Sequence, residues 1–189
     1  MAFLQITKRL KCLCLFTIAL SATVVADELI LENFESNPEQ RWSYVSDQVM
    51  GGVSTGQVVY ARQGDVSYAH MTGSVSTENN GGFIQLRSNI AKGTTAQVAG
   101  VTLRVRGVPQ RYFVHLRTRG TVLPWQYYQA GFDIDEQWQT IRLPLSDFER
   151  SGKWLGAAIN PSSIRSIGVV AFGRDHIADI QIAEVGFYN

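Results

Sequence analysis

Apolar and polar residues alternate one by one along most of this chain, and turn residues interrupt the alternation every few positions. The segment from Val101 to Arg106 is typical, because it reads Val-Thr-Leu-Arg-Val-Arg. Successive side chains of a β-strand point to opposite faces, so this pattern predicts strands with one buried face and one wet face. Patterns typical of an α-helix are nearly absent, and the sequence therefore predicts an all-β protein.

Turn residues cut the alternating stretches into short strands. The predicted strands are residues 29–31, 58–61, 66–71, 101–105, 112–117, 128–134, 138–143, 167–172 and 180–185. Residues 63–65 (Gln-Gly-Asp) predict a hairpin turn, and the nearly continuous apolar run at 167–172 predicts a central strand. Residues 145–150 predict one helical turn capped by Ser146. Many short strands without a linker or repeat predict a single jelly-roll β-sandwich domain.

The first 26 residues have the three parts of a secretory signal peptide. Lys8, Arg9 and Lys11 form a basic start, and an apolar run from Leu13 to Val25 ends in small residues before Asp27. An uncleaved anchor helix is the alternative, but a helix that spans a bilayer needs about 20 apolar residues and this run is shorter. We therefore predict a signal peptide at 1–26, a single domain at 27–189, and export to the periplasm or the extracellular space.

Loss of that segment changes the chemistry that is available. Both cysteines, Cys12 and Cys14, lie in the signal, so residues 27–189 contain no disulfide, thiolate ligand or cysteine nucleophile. The segment also holds three of the 17 basic residues and none of the 16 acidic ones, which leaves a net charge of −2. A near-neutral surface gives no electrostatic reason to expect nucleic acid as a partner, and no motif predicts a cofactor.

Residues 52–56 match the G-x-S-x-G nucleophile elbow of hydrolases, with Ser54 at its centre. That elbow joins a strand to a helix, whereas a strand is predicted after Ser54. The histidines His70, His115 and His176 have no spacing typical of a metal site. We therefore predict no catalytic residue and no metal ligand, and keep a hydrolase as the less favoured alternative.

Two groups of residues are better candidates for a binding site. Trp125 and Tyr127 follow a proline, and Tyr128 is expected to face the opposite way. One aromatic face then lies at an interface, at a groove or in solvent, and the alternative is that a covering loop buries both faces. The other group comprises two glycine-containing segments, residues 42–54 and residues 77–83, the latter followed by Arg87. Neither segment shows the alternation of a strand, and Asn80-Gly81 predicts a turn with positive φ.

These two segments are expected to meet and form one site, because their glycines permit close approach of the backbone. Asp47 is expected to accept N–H bonds from its own loop. A pair between Asp47 and Arg87 is the expected link between the segments.

At these segments the chain resembles the complex I intermediate-associated protein 30 family. The matching residues of the W-x₄-D-x-x-M-G-G-x-S run are Trp42, Asp47, Met50, Gly51, Gly52 and Ser54. Those of the N-G-G-F segment and its nearby arginine are Asn80, Gly81, Gly82, Phe83 and Arg87. The resemblance extends more loosely over residues 28–188. It implies a galactose-binding-like jelly roll, related to carbohydrate-binding modules, with no established catalytic residues.

Mitochondrial members of the family act as assembly factors for respiratory complex I, so the resemblance implies a protein partner, such as a membrane complex under assembly. A chain with a secretory signal would be kept apart from the matrix-side or cytoplasmic arm of that complex. The first hypothesis is thus an exported binding or chaperone-like assembly module with a protein partner, and the alternative is a carbohydrate-binding module. The binding residues expected are those matched above together with Trp125 and Tyr127.

Overall fold

The computed structural model describes residues 28–189 and confirms the all-β, jelly-roll prediction. Its strands are β1 (Glu28–Glu32), β2 (Trp42–Ser46), β3 (Thr55–Gln63), β4 (Val66–Val75), β5 (Phe83–Asn89), β6 (Gly100–Gly107), β7 (Gln110–Thr118), β8 (Tyr128–Ile134), β9 (Gln139–Pro144), β10 (Glu149–Arg150), β11 (Ile164–Phe172) and β12 (His176–Tyr188). Short 3-10 helices occupy Pro38–Gln40, Asp47–Met50, Glu78–Asn80, Leu145–Asp147 and Pro161–Ser163. The predicted signal peptide and Asp27 lie outside the described residues.

The strands form two antiparallel sheets. Sheet A has the order β3-β4-β12-β6-β9, with β1 paired to one end of β12, and sheet B has the order β10-β8-β7-β11-β5-β2. Neighbours such as β7, β11 and β5 are distant in sequence, as expected where long connections cross between the layers of a sandwich. The predicted hairpin at Gln63 is confirmed as the β3–β4 turn.

The core lies between the sheets, and strand alternation decides which side chains enter it. Ile167, Val169 and Ala171 of β11 are fully buried and belong to the core cluster. The alternate residues of β11, including Ser166 and Gly168, face the other side of sheet B. Because β11 pairs with β7 on one side and with β5 on the other, the prediction of a central strand at 167–172 is confirmed.

Some local expectations were wrong. Residues 42–54 and 77–83 were expected to lack strand alternation, yet Trp42–Ser46 forms β2 and Phe83 begins β5, and these two strands pair with each other at the edge of sheet B. In β5 half-buried and fully buried positions alternate regularly, as expected of a strand. This alternation was overlooked because β5 follows directly on two glycines. The turn at Leu145–Asp147 is present, but Pro144 rather than Ser146 occupies its N-cap position and supplies no side-chain cap.

Residues 28–189 contain no helix that is both long and apolar enough to cross a membrane.

Candidate functional site

Asp47 joins the two glycine segments through its buried carboxylate. The side chain is fully buried and accepts hydrogen bonds from the Ser54 N–H at 2.9 Å and the Ser54 hydroxyl at 2.5 Å. It also accepts the N–H groups of Gly82 at 2.6 Å and Phe83 at 3.2 Å. The expected bond from its own loop is therefore present, and the two segments meet as predicted.

The glycines of both segments allow the backbone to close around this carboxylate. A Cβ atom on Gly52 or on Gly81 would overlap the Asp47 side chain, so only glycine fits at either position. Gly51 has a different requirement, because its φ of +93° ends the 3-10 helix in the left-handed region, with open space around it. The expected positive φ lies at Asn80, with φ 59°, whereas Gly81 has φ −75°.

The expected pair between Asp47 and Arg87 is wrong. Amide and hydroxyl donors already surround the carboxylate, and no ion pair within residues 28–189 includes Arg87. Burial by itself would raise the pKa of Asp47, but the hydrogen bonds from Ser54, Gly82 and Phe83 outweigh it and hold the pKa below its ordinary value. Asp47 is thus a structural anion that is not paired with Arg87.

A groove of about 470 Å³ lies on the face of sheet B that points away from the core. Its floor comes from β5, β11 and β7, through Gln85, Arg87, Ser166, Gly168, His115 and Arg117. The loop of the first glycine segment forms one rim with Val49 and Met50. The segment before β8 forms the other rim with Pro124, Trp125 and Tyr127. The remaining lining residues are Val45, Asn80, Gly81, Phe83 and Phe172.

The strand register places the floor residues in rows across the sheet. Gly168 of β11 lies opposite Arg87 of β5 and opposite His115 of β7. Ser166 lies opposite Arg117 in the next row. Because β11 offers only a hydroxymethyl group and a glycine here, the floor is lowest between the two arginines.

An aromatic platform covers the middle of the groove. The rings of Tyr127 and His115 stack at a centroid distance of 4.0 Å with 8° between their planes, and Phe172 meets both rings edge-on. Trp125 stands on the rim with 61% of its surface exposed. An exposed tryptophan beside a stacked pair gives the groove flat, amphipathic faces.

Burial lowers the pKa of His115 to about 4, so the imidazole is neutral near pH 7. The buried atoms Nε2 of His115, Oε1 of Gln129 and Nε of Arg117 have no hydrogen-bond partner in the described part of the chain. Gln129 lies opposite His115 in the register of β7 and β8. Unpaired polar atoms are costly when buried. A small reorientation of the Gln129 amide would pair it with the His115 ring, whose pKa a hydrogen bond from Gln129 raises against the larger effect of burial.

The structure sorts the predicted site residues into two sets. Those that line the groove are Met50, Asn80, Gly81, Phe83, Arg87, Trp125 and Tyr127. Of the others, Asp47, Gly52, Ser54 and Gly82 lie in the support beneath the rim, and Gly51 lies on its exposed surface. Trp42 lies in the core, where its indole N–H donates to Glu32. The aromatic pair and the glycine segments, considered separately in the sequence, thus share one groove.

Sequence reasoning missed His115 and Arg117 as site residues. Their signal was the wet face of β7, where both alternate with the buried residues Val114 and Leu116. The face was predictable, but the β11 neighbours that make it a groove floor depend on strand order.

The arrangement offers binding groups rather than reactive ones. Ser54 is fully buried, its hydroxyl donates to Asp47, and it accepts the Ser76 N–H at 3.0 Å, so the G-x-S-x-G serine does not reach the groove. β3 follows it directly, as predicted. Within residues 28–189, no three acidic or histidine side chains are grouped to hold a metal ion.

Comparison with known proteins gives one family match. The model of the Complex I intermediate-associated protein 30 family matches residues 32–182. None of the curated proteins compared with the chain matches it.

Solved structures with the same fold include carbohydrate-binding modules and agarases. The family 11 carbohydrate-binding module of the cellulosomal cellulase Lic26A-Cel5E of Clostridium thermocellum is 14% identical with a TM-score of 0.69, covering 85% of this chain and 94% of its own. A structure of the Clostridium thermocellum module with a β-1,3-1,4-mixed-linked tetrasaccharide is 14% identical with a TM-score of 0.68, covering 87% and 96%. An exo-β-agarase is 9% identical with a TM-score of 0.56, and only 25% of its chain is covered. At these identities the likeness shows the fold.

Proposed function

The chain belongs to the complex I intermediate-associated protein 30 family, and from that premise we propose that it is an exported, non-catalytic binding module whose groove on sheet B holds an oligosaccharide. The observation that supports this most is the aromatic platform of Tyr127, His115 and Trp125 beside a groove of about 470 Å³. A groove of that size is within the range of small-molecule sites.

A sugar ring suits this surface because it has an apolar C–H face and a polar hydroxyl edge. The C–H face packs on Tyr127 or Trp125, while hydroxyl groups bond with side chains of the floor such as Gln85 and Arg87. The shared fold with carbohydrate-binding modules supports the same reading.

A second candidate is a protein partner, which the apolar rims favour. Val49 is 75% exposed and Met50 is 53% exposed on one rim, and Val122 and Leu123 adjoin Trp125 on the other. Exposed apolar side chains on both sides of a groove are typical of an interface with another protein. The assembly role that the family name implies would use this surface.

A glycan array probed with residues 27–189 tests the first proposal. We expect wild-type binding that Trp125→Ala weakens about tenfold or more, because truncation of an aromatic anchor at a binding site commonly costs above 1 kcal/mol. Trp154→Ala is the matched control, since Trp154 is 95% exposed and lies outside the groove lining. Equal effects of the two substitutions, or no glycan bound by the wild type, would contradict glycan binding.

Affinity capture from the native envelope tests the second candidate. Met50→Lys places a charge on the apolar rim, and Val59→Lys places one at a similarly exposed site on sheet A, where Val59 is 50% exposed. A partner that is lost with Met50→Lys and retained with Val59→Lys supports a protein interface. A partner that survives both substitutions excludes this rim as the contact surface.

A further inference from the structure

Arginines flank the lowest part of the groove. Arg87 extends from β5 beside Gly168, and Arg117 extends from β7 beside Ser166. Because β5 and β7 lie on either side of β11, their backbones are about 10 Å apart, within the reach of two arginine side chains. The small residues of β11 keep the floor low there, and the Gln85 amide reaches across Gly168, with its Oε1 3.0 Å from where a Cβ of that glycine would lie.

This part of the groove has positive charge without compensation. The groove lining contains no aspartate or glutamate. Within residues 28–189, none of the ion pairs includes Arg87, Arg117 or the nearby Arg165. The basic side chains that form ion pairs, such as Arg41 with Glu32 and Arg104 with Glu184, do not line the groove. Carboxylates therefore pair with basic residues on other parts of the described surface but not here.

Arg117 is held in place yet incompletely bonded. One of its Nη atoms donates to the Leu123 carbonyl at 2.8 Å, which ties the side chain to the rim segment. Its Nε is buried with no partner. Burial, and after it the charges of Arg165 and Arg87, lower the pKa of Arg117, as expected where cations approach one another outside bulk water. An anion placed among these groups would relieve the repulsion and accept hydrogen bonds from the Nη groups of the two arginines.

We propose that the ligand of this groove is an acidic oligosaccharide, and that its carboxylate or sulfate group lies over Ser166 between Arg87 and Arg117. The inference rests on the proposed glycan-binding function and specifies the class of glycan. Guanidinium groups bind such oxyanions in a planar, bidentate manner, and the Ser166 hydroxyl adds a donor. The aromatic platform accommodates the sugar rings that flank the acidic unit.

An acidic peptide fits this surface less well. Extended peptides commonly bind by adding a strand to an open sheet edge, where backbone groups are unpaired. The floor strands β5, β11 and β7 are each paired on both sides. The groove therefore offers side-chain donors and ring faces in place of a backbone edge.

The test compares acidic glycans from the array with the same glycans after methyl esterification of their carboxylates or removal of their sulfates. We expect the wild type to bind the acidic forms and to lose about tenfold or more in affinity for the neutralised forms. Arg87→Gln and Arg117→Gln should each weaken binding of the acidic forms by about tenfold or more. Arg62→Gln is the control, since Arg62 is exposed at the β3–β4 hairpin of sheet A, and it should leave affinity unchanged.

A salt series on the wild type keeps the test valid if an arginine variant fails to fold. Raising NaCl from about 0.05 M to about 0.5 M should weaken binding of the acidic glycans and leave any neutral glycan unaffected. Binding of neutral glycans alone, with no effect of either arginine substitution, would overturn the inference while leaving the glycan-binding function standing. Binding of acidic peptides with no glycan bound at all would overturn both.

Discussion

A buried carboxylate without a cation is stable only if hydrogen-bond donors replace water completely. Asp47 meets this condition with bonds from Ser54, Gly82 and Phe83. Its role as an acceptor within its own loop was predictable, because aspartate commonly bonds to nearby backbone groups. Its bonds to Gly82 and Phe83 were not, because they depend on the pairing of β2 with β5 far along the chain. The same lack of register information led to the incorrect pairing with Arg87.

His115 is the residue whose charge should make stability depend on pH. Its pKa is about 4 in the folded protein, below the ordinary value of 6.5, because burial disfavours the imidazolium. Between these values the unfolded chain binds the proton and the folded chain does not, so stability falls as pH falls from about 6.5 to about 4. The loss amounts to about 3 kcal/mol, at roughly 1.4 kcal/mol per pKa unit.

Urea unfolding of the wild type and of His115→Gln at a series of pH values checks this prediction. His176, whose pKa burial also lowers, and the carboxylates are present in both proteins, so their contributions cancel in the difference. We expect the wild type to lose about 3 kcal/mol more than the variant between pH 7 and pH 4, levelling off below that pH. Parallel pH profiles for the two proteins would show that His115 does not titrate as described.

At the scale of elements, alternation identified the strands that have a clear wet face, such as β6, β7 and β8. It failed for β2 and β5, because β2 is short and β5 follows directly on the Asn-Gly-Gly turn. The rim loop between β2 and β3 needs glycine at two adjacent positions for different structural reasons, and the sequence alone did not distinguish these reasons. Gly52 is needed because its Cβ would overlap Asp47, whereas Gly51 is needed because its φ is +93°.

Alanine substitution at these two adjacent glycines separates the reasons. Gly51→Ala should cost about 1–2 kcal/mol, the usual penalty for a left-handed residue with a Cβ. Gly52→Ala should cost more, because the added methyl group pushes the buried carboxylate away from Ser54 and Gly82, and each broken bond to a charged group is worth about 1.5–3 kcal/mol. Denaturant midpoints of both variants measure the order. A larger loss of stability for Gly51→Ala than for Gly52→Ala would mean that backbone strain at Gly51, rather than packing on Asp47, is the stronger requirement for glycine in this loop.

At the scale of the whole molecule, the sandwich and its two-layer core follow from patterning alone, because many short strands without disulfides have few other ways to bury apolar surface. The strand order that brings β11 between β5 and β7 does not, since local alternation is the same in any order. The groove depends on that order, which is why its rims were found in the sequence as separate candidates and its floor, apart from Arg87, was not.

The prediction that remains at this scale is that the protein is exported after cleavage of its first 26 residues. Cleavage after Ala26 should leave a chain that begins at Asp27 and contains no cysteine, since Cys12 and Cys14 precede that site. Intact-mass analysis of the exported protein should show the loss of residues 1–26, and a thiol reagent should leave the unfolded protein unmodified. Its unfolding midpoint should be the same with and without a reducing agent, because the core between the sheets stabilises it without a disulfide. A full-length chain retained in the membrane fraction, with two reactive thiols, would instead mean that the apolar N-terminal segment anchors the binding module to the membrane.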